Sequence, residues 1–132
     1  MVSFTIIGEP QSKANSRRLV TIGGKWANIK SKKALAYVKA VKDQVRPLPK
    51  LLEGPLAAWI GIYYASRRPD LDESLILDAL QGLIYKNDRQ IHYKHVCRWL
   101  DRENPRAQVR IYEIEETAVN FAHAPHARGR AA

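Results

Sequence analysis

Residues 67–73, RRPDLDE, place two carboxylates, Asp70 and Asp72, two positions apart and directly behind Arg67, Arg68 and Pro69. Pro69 biases Arg68 toward extended backbone, so RRPDLD reads as a continuation of the strand before it. In extended chain, alternate residues share a face. Asp70 and Asp72 then point the same way, and Leu71 turns into the core. Two such carboxylates ionise together only when a cation offsets their repulsion. Oxygen ligands of this kind suit Mg²⁺, which keeps several waters and takes a few carboxylates plus phosphate oxygens. A third acid, Asp88, follows the next helix, and if that helix folds back over the sheet the three acids can converge. The alternative gives each residue a local task, Asp72 capping a helix and Asp88 shaping a turn. A D-x-D pair alone does not choose between them.

The elements that must position these acids follow from pattern. VSFTII (2–7) reads as a strand ended by Gly8 and Pro10. RLVTI and KWANI flank Gly23-Gly24, a hairpin signal. Ser31 caps a helix running to about Val45, with Leu35, Val38, Val41 and Val45 as its apolar stripe. LAAWIGIYYA (56–65) is an apolar, aromatic central strand. A second helix is expected over ESLILDALQG, ending near Gly82. In the strand RQIHYKHVCRWL, Ile91, Tyr93, Cys97 and Trp99 share one face and His92, Lys94 and Arg98 the other. AQVRIYEI then pairs with this strand as a hairpin-like unit. Strands mostly neighbour strands, so the expected class is α+β: a mixed sheet of five to six strands with two main helices. The domain spans 1–116, and 117–132, which carries no consistent period, is a mobile tail.

The chain has 22 Lys and Arg against 13 Asp and Glu, a net charge of +9. Such an excess in a small domain favours a polyanion, most often nucleic acid. Lys13, Arg17, Arg18, Arg67, Arg68 and Lys86 are the cations expected to meet DNA phosphates. The single cysteine, Cys97, excludes an internal disulfide and reads as a small core residue. Trp26, Trp59 and Trp99 are core candidates as well, with Trp26, beside the hairpin turn, the one suited to base stacking. With neither a signal-like N-terminus nor a long apolar segment, the expected location is the cytoplasm, without membrane contact.

The stretch RPDLDESLILDALQGLIYKNDRQI resembles the signature of the RusA family of Holliday-junction resolvases. The resemblance is carried by Arg68, Pro69, Asp70, Leu71 and Asp72, then Asp78-Ala79-Leu80, Gly82, and Asp88 with Gln90 and Ile91. A looser likeness extends to Gly8, Pro10, Ser12 and Lys13. It implies a homodimeric, Mg²⁺-dependent endonuclease, with Mn²⁺ able to substitute, encoded by a phage or prophage. Its substrate would be four-way DNA junctions, resolved by paired symmetric nicks in recombination and repair, and its catalytic and metal-binding acids Asp70, Asp72 and Asp88. The sequence departs from the family pattern at Glu73, where Asn is usual, at Ile76, where Lys is usual, and at Asn87, where an acid is usual. Lys86 or Lys13 could supply the missing cation.

Two other readings compete. A restriction-enzyme-like site begins at Pro69-Asp70 but lacks the acid–x–Lys element, since Ile84 stands two before Lys86. A non-catalytic DNA-binding module explains the charge, yet acids on a phosphate-binding face would weaken it. A nuclease acting on other branched DNA stays open. Metal-free catalysis by His92 or His95 has no supporting pattern.

Overall fold

The computed structural model describes residues 1–12 and 17–115. Lys13 and the C-terminal residues from Glu116 on lie outside them, and of Arg17 and Arg18 only the backbone is described.

Four strands form the main sheet: β1 (Val2–Ile7), β4 (Leu56–Tyr64), β5 (Ile91–Leu100) and β6 (Arg106–Glu113). Their order is β1-β6-β4-β5, with β4 parallel to β5 and antiparallel to β6. β2 (Arg17–Ile22) and β3 (Lys25–Lys30) make a separate two-stranded ribbon. The chain is thus α+β, but its sheet is smaller than the five to six strands expected. The ribbon turns at Gly23 and Gly24 with φ of 57° and 80°, left-handed values that match the twist of a two-residue hairpin and favour glycine.

Helix α1 (Lys32–Gln44) starts where the Ser31 side chain accepts from the Ala34 N–H at 3.2 Å. It stops at extended Val45, just ahead of Pro47. Its buried side is Ala34, Tyr37 and Val41, while Leu35 is exposed. The buried stripe is rotated from the expected one toward Ala34 and Tyr37, both of which join the core. Helix α2 (Ser74–Leu80) buries Leu75, Ile76, Leu77, Ala79 and Leu80.

Both helices pack on one face of the sheet, against Leu56, Ala58, Ile60, Ile62 and Tyr64 of β4 and Ala107, Val109 and Ile111 of β6. β4 lies between β6 and β5, which pair its backbone on both sides while the helices cover its apolar face. A parallel neighbour requires a crossover, which α2 supplies. The expected β5–β6 hairpin is therefore absent: β4 lies between them. The link 101–105 instead passes over the end of β4, where Asp101 N–H donates to the Tyr64 carbonyl at 2.8 Å and Gly8 N–H to that of Pro105 at 2.9 Å.

The other face of the sheet carries no helix among the described residues. Trp59 and Trp99, expected in the core, stand there 41% and 52% exposed, and Trp26 on the ribbon is 73% exposed. Cys97 lies on the same open face, half-buried rather than in the core. Among the described residues no helix is long and apolar enough to cross a membrane.

Candidate active site

β1, β4 and β5 all point their carboxyl ends to one edge of the sheet. Loops 8–12, 65–73 and 101–105 gather there, which is where ligands sit in many parallel-stranded folds. A cleft lined by Glu9, Pro10, Gln11, Ser12, Arg68, Pro69 and Asp70 opens between the first two loops.

RRPDLD does not continue β4. The strand ends at Tyr64 and the chain bends, leaving Leu71 exposed rather than in the core. In this loop the Arg68 N–H donates to the Ser66 hydroxyl at 3.3 Å, and side chains from β4 and β5 hold the next residues. The Tyr64 hydroxyl donates to the Asp70 carbonyl at 3.0 Å and accepts from the Asp72 N–H at 3.2 Å. One phenol thus holds both acids of the D-x-D unit from the backbone side. Burial pushes the Tyr64 hydroxyl above its ordinary pKa, the Asp72 N–H and Arg98 opposing the rise, and Asp72 and Glu9 reinforcing it. Arg98 on β5 adds a bond to the Pro69 carbonyl and lies 5.3 Å over the Tyr64 ring. Lys94 pairs with Glu73 at 2.8 Å. The Asp72 carboxylate accepts from Ser74 N–H at 2.9 Å, one residue before the N-cap position held by Glu73.

Asp70 is exposed, and Asp72 is half-buried. Glu9 reaches the same place, its carboxylate accepting from Ala65 N–H at 3.3 Å. Sequence reasoning missed Glu9 and Tyr64. The signal was present for Glu9, which sits inside the G-E-P-Q-S loop, but nothing local marks Tyr64 as more than a strand aromatic.

Asp88 is elsewhere. It opens a 3₁₀ turn (Asp88–Gln90) capped by Asn87 and Gln90, and its N–H donates to the Gln81 side chain at 3.0 Å. Asp72 stands at the start of α2 and Gln81 just past its end, so about 10 Å of helix lies between the two acids. A parallel crossover delivers the chain to the opposite edge of the sheet, and the expected convergence of Asp88 with Asp70 and Asp72 within one chain does not occur. Among the described residues no three His, Cys, Asp or Glu stand close enough to share a metal ion. Asp88 instead keeps company with Asp78 around Tyr85. That hydroxyl donates to the Leu77 carbonyl at 2.6 Å, and burial first, then the two acids, push its pKa up.

The cations divide in the same way. Arg67 and Arg68 are exposed beside Asp70. Lys86 is at the Asp88 edge, 3.6 Å from Glu53. Arg17 and Arg18 open β2; their side chains, like all of Lys13, fall outside the described residues.

The segment forming these loops and the strands behind them, residues 8–112, matches the family model Endodeoxyribonuclease RusA. The chain belongs to the RusA endodeoxyribonuclease family. No curated protein matches it. The matched segment includes the loops that form the carboxyl-edge cleft, with Arg68, Asp70 and Glu9 in its lining. Two loop carboxylates fit a hard divalent cation that keeps its waters and takes phosphate oxygens as further ligands.

Proposed function

We propose that this RusA-family protein is a Mg²⁺-dependent endonuclease that resolves four-way DNA junctions by paired nicks, acting as a homodimer. The observation supporting this most is the cleft at the sheet's carboxyl edge, where the family-matching loops bring Asp70 beside Arg68 and Glu9, with Asp72 held two residues on by the same Tyr64 hydroxyl. Asp70 and Asp72 would hold the cation, and Glu9 lines the same cleft as Asp70. Bound there, Mg²⁺ supplies an activated water and charge stabilisation at the scissile phosphate.

The chain's own residues do the rest. The Tyr64 hydroxyl and Arg98 fix the acid-bearing loop before DNA arrives, and Arg67 and Arg68 offset the repulsion between acids and phosphates. Two matched nicks on a near two-fold substrate need two sites related by a dyad, which an isologous dimer provides. In that dimer Asp88 serves the partner's cleft, since its own is a helix length away.

The test is cleavage of a synthetic immobile four-way junction with and without Mg²⁺. Symmetric nicks that need the metal support the reading. Tight binding with no cleavage in Mg²⁺ or Mn²⁺ leaves a DNA-binding module, and equal cleavage of forks and flaps leaves a general branched-DNA nuclease.

A further inference from the structure

All three tryptophans of the chain are exposed, and two of them stand on the sheet face that no helix covers among the described residues. The strand register sets this face out in rows. Arg106, Tyr63 and Trp99 are cross-strand neighbours, and so are Arg110, Trp59 and His95. In the first row the Arg106 guanidinium lies 3.8 Å over the Tyr63 ring, which stacks on Trp99 with centroids 6.2 Å apart. In the second, Arg110 lies 5.8 Å from the Trp59 ring, which stacks on His95 at 5.0 Å and 12°. At the carboxyl edge Trp99 lines a 370 Å³ cleft with Ser66, Arg67, Arg98 and Leu100. Ser66 and Arg67 belong to the loop that carries Asp70 and Asp72, so this cleft adjoins the candidate active site.

We infer that this aromatic face, with the Trp99–Arg67 cleft as its anchor, binds unpaired nucleotides of the DNA, the first base entering the cleft beside Trp99. Charge selects the occupant. None of the face's alternating positions in β1, β4, β5 or β6 is acidic. Asp101, just past β5, bonds Arg106 at 2.8 Å, and no described carboxylate pairs with Arg110. Two copies of the face placed together would set arginine against arginine and bury charge without a partner, which is costly. A single strand brings phosphates for the arginines and flat bases for the rings, the combination that single-strand binding surfaces use. Opening base pairs at the strand-exchange point of a four-way junction would supply such bases. The inference rests on the nucleic-acid reading above, but not on cleavage.

The experiment is titration of the protein in EDTA with a short labelled oligothymidylate and with a blunt duplex hairpin, read by anisotropy and tryptophan quenching. Expected are quenching by the oligothymidylate and, for Trp99→Ala, single-strand affinity lower by about tenfold or more. Trp99→Phe keeps most of the affinity, and duplex binding is unchanged in both. Asp70→Asn binds the oligothymidylate like wild type even though it does not cleave, so loss of the nuclease reading would leave this one standing. Wild-type protein that binds duplex but neither binds nor is quenched by oligothymidylate overturns the inference. So does undiminished affinity in Trp99→Ala, or a halved mass of that variant in light scattering, which would make the face a contact between copies. Circular dichroism checks its fold; if it is unfolded, Trp99→Phe and the wild-type quench decide.

Discussion

Replacing Tyr64 by Phe removes one oxygen and keeps the ring, so packing in the core and the Arg98 contact persist. What goes is the clamp: the 3.0 Å bond to the Asp70 carbonyl and the 3.2 Å bond from the Asp72 N–H. Each such bond contributes about 0.5–1.5 kcal/mol net, so the pair holds the loop by roughly 1–3 kcal/mol. Released groups at this edge can turn to water. The loss should therefore appear mainly as a loop spread over several arrangements, not as global unfolding. A free-energy loss of that size lowers the fraction with both acids correctly aimed by about 5- to 150-fold. The assay is single-turnover junction cleavage at saturating Mg²⁺, with metal-free junction binding and thermal unfolding measured beside it. Cleavage should fall by one to two orders of magnitude, junction affinity should hold within about twofold, and Tm should drop by no more than about 5–10 °C. Wild-type cleavage by Tyr64→Phe would show that the phenol positions nothing of catalytic importance.

Other perturbations have equally definite outcomes. Asp70→Asn and Asp72→Asn should each lower cleavage by several orders of magnitude while junctions still bind, checked by gel shift without metal. Mixing inactive Asp70→Asn and Asp88→Asn proteins should restore activity, because half of the heterodimer's composite clefts are then intact; no recovery after subunit exchange would confine each site to one chain. The Tyr37 hydroxyl is buried without a hydrogen-bond partner among the described residues, so Tyr37→Phe should raise stability by about 1 kcal/mol, read as a Tm higher by a few degrees. Arg106, then the Asn104 and Glu103 N–H groups, hold the Asp101 carboxyl below its ordinary pKa. A depressed folded-state pKa adds stability above the unfolded value that disappears as pH falls through the folded one. Asp101→Asn should accordingly melt lower than wild type at neutral pH, with the gap closing in acid below the usual carboxylate range.

The sequence determined the Gly-Gly hairpin, the Ser31-capped helix and the central apolar strand, because each is written in neighbouring residues: a turn pair, a cap, a period; it marked the acids of RRPDLD but read as strand what the structure makes a loop. It also carried the family, through the long stretch from Arg68 to Ile91. Tertiary structure alone decided how those pieces meet. Whether β5 pairs with β6 or lies parallel to β4 depends on which neighbours best cover β4, a competition between strands far apart in sequence. That choice sent Asp88 to the far edge of the sheet and left Asp70 and Asp72 with Glu9. Periodicity showed that Trp59 and Trp99 share a face with their strand neighbours, but not that the helices would all pack on the opposite one. An aromatic residue reads as core in one dimension; only the count of layers tells which face of a sheet stays open.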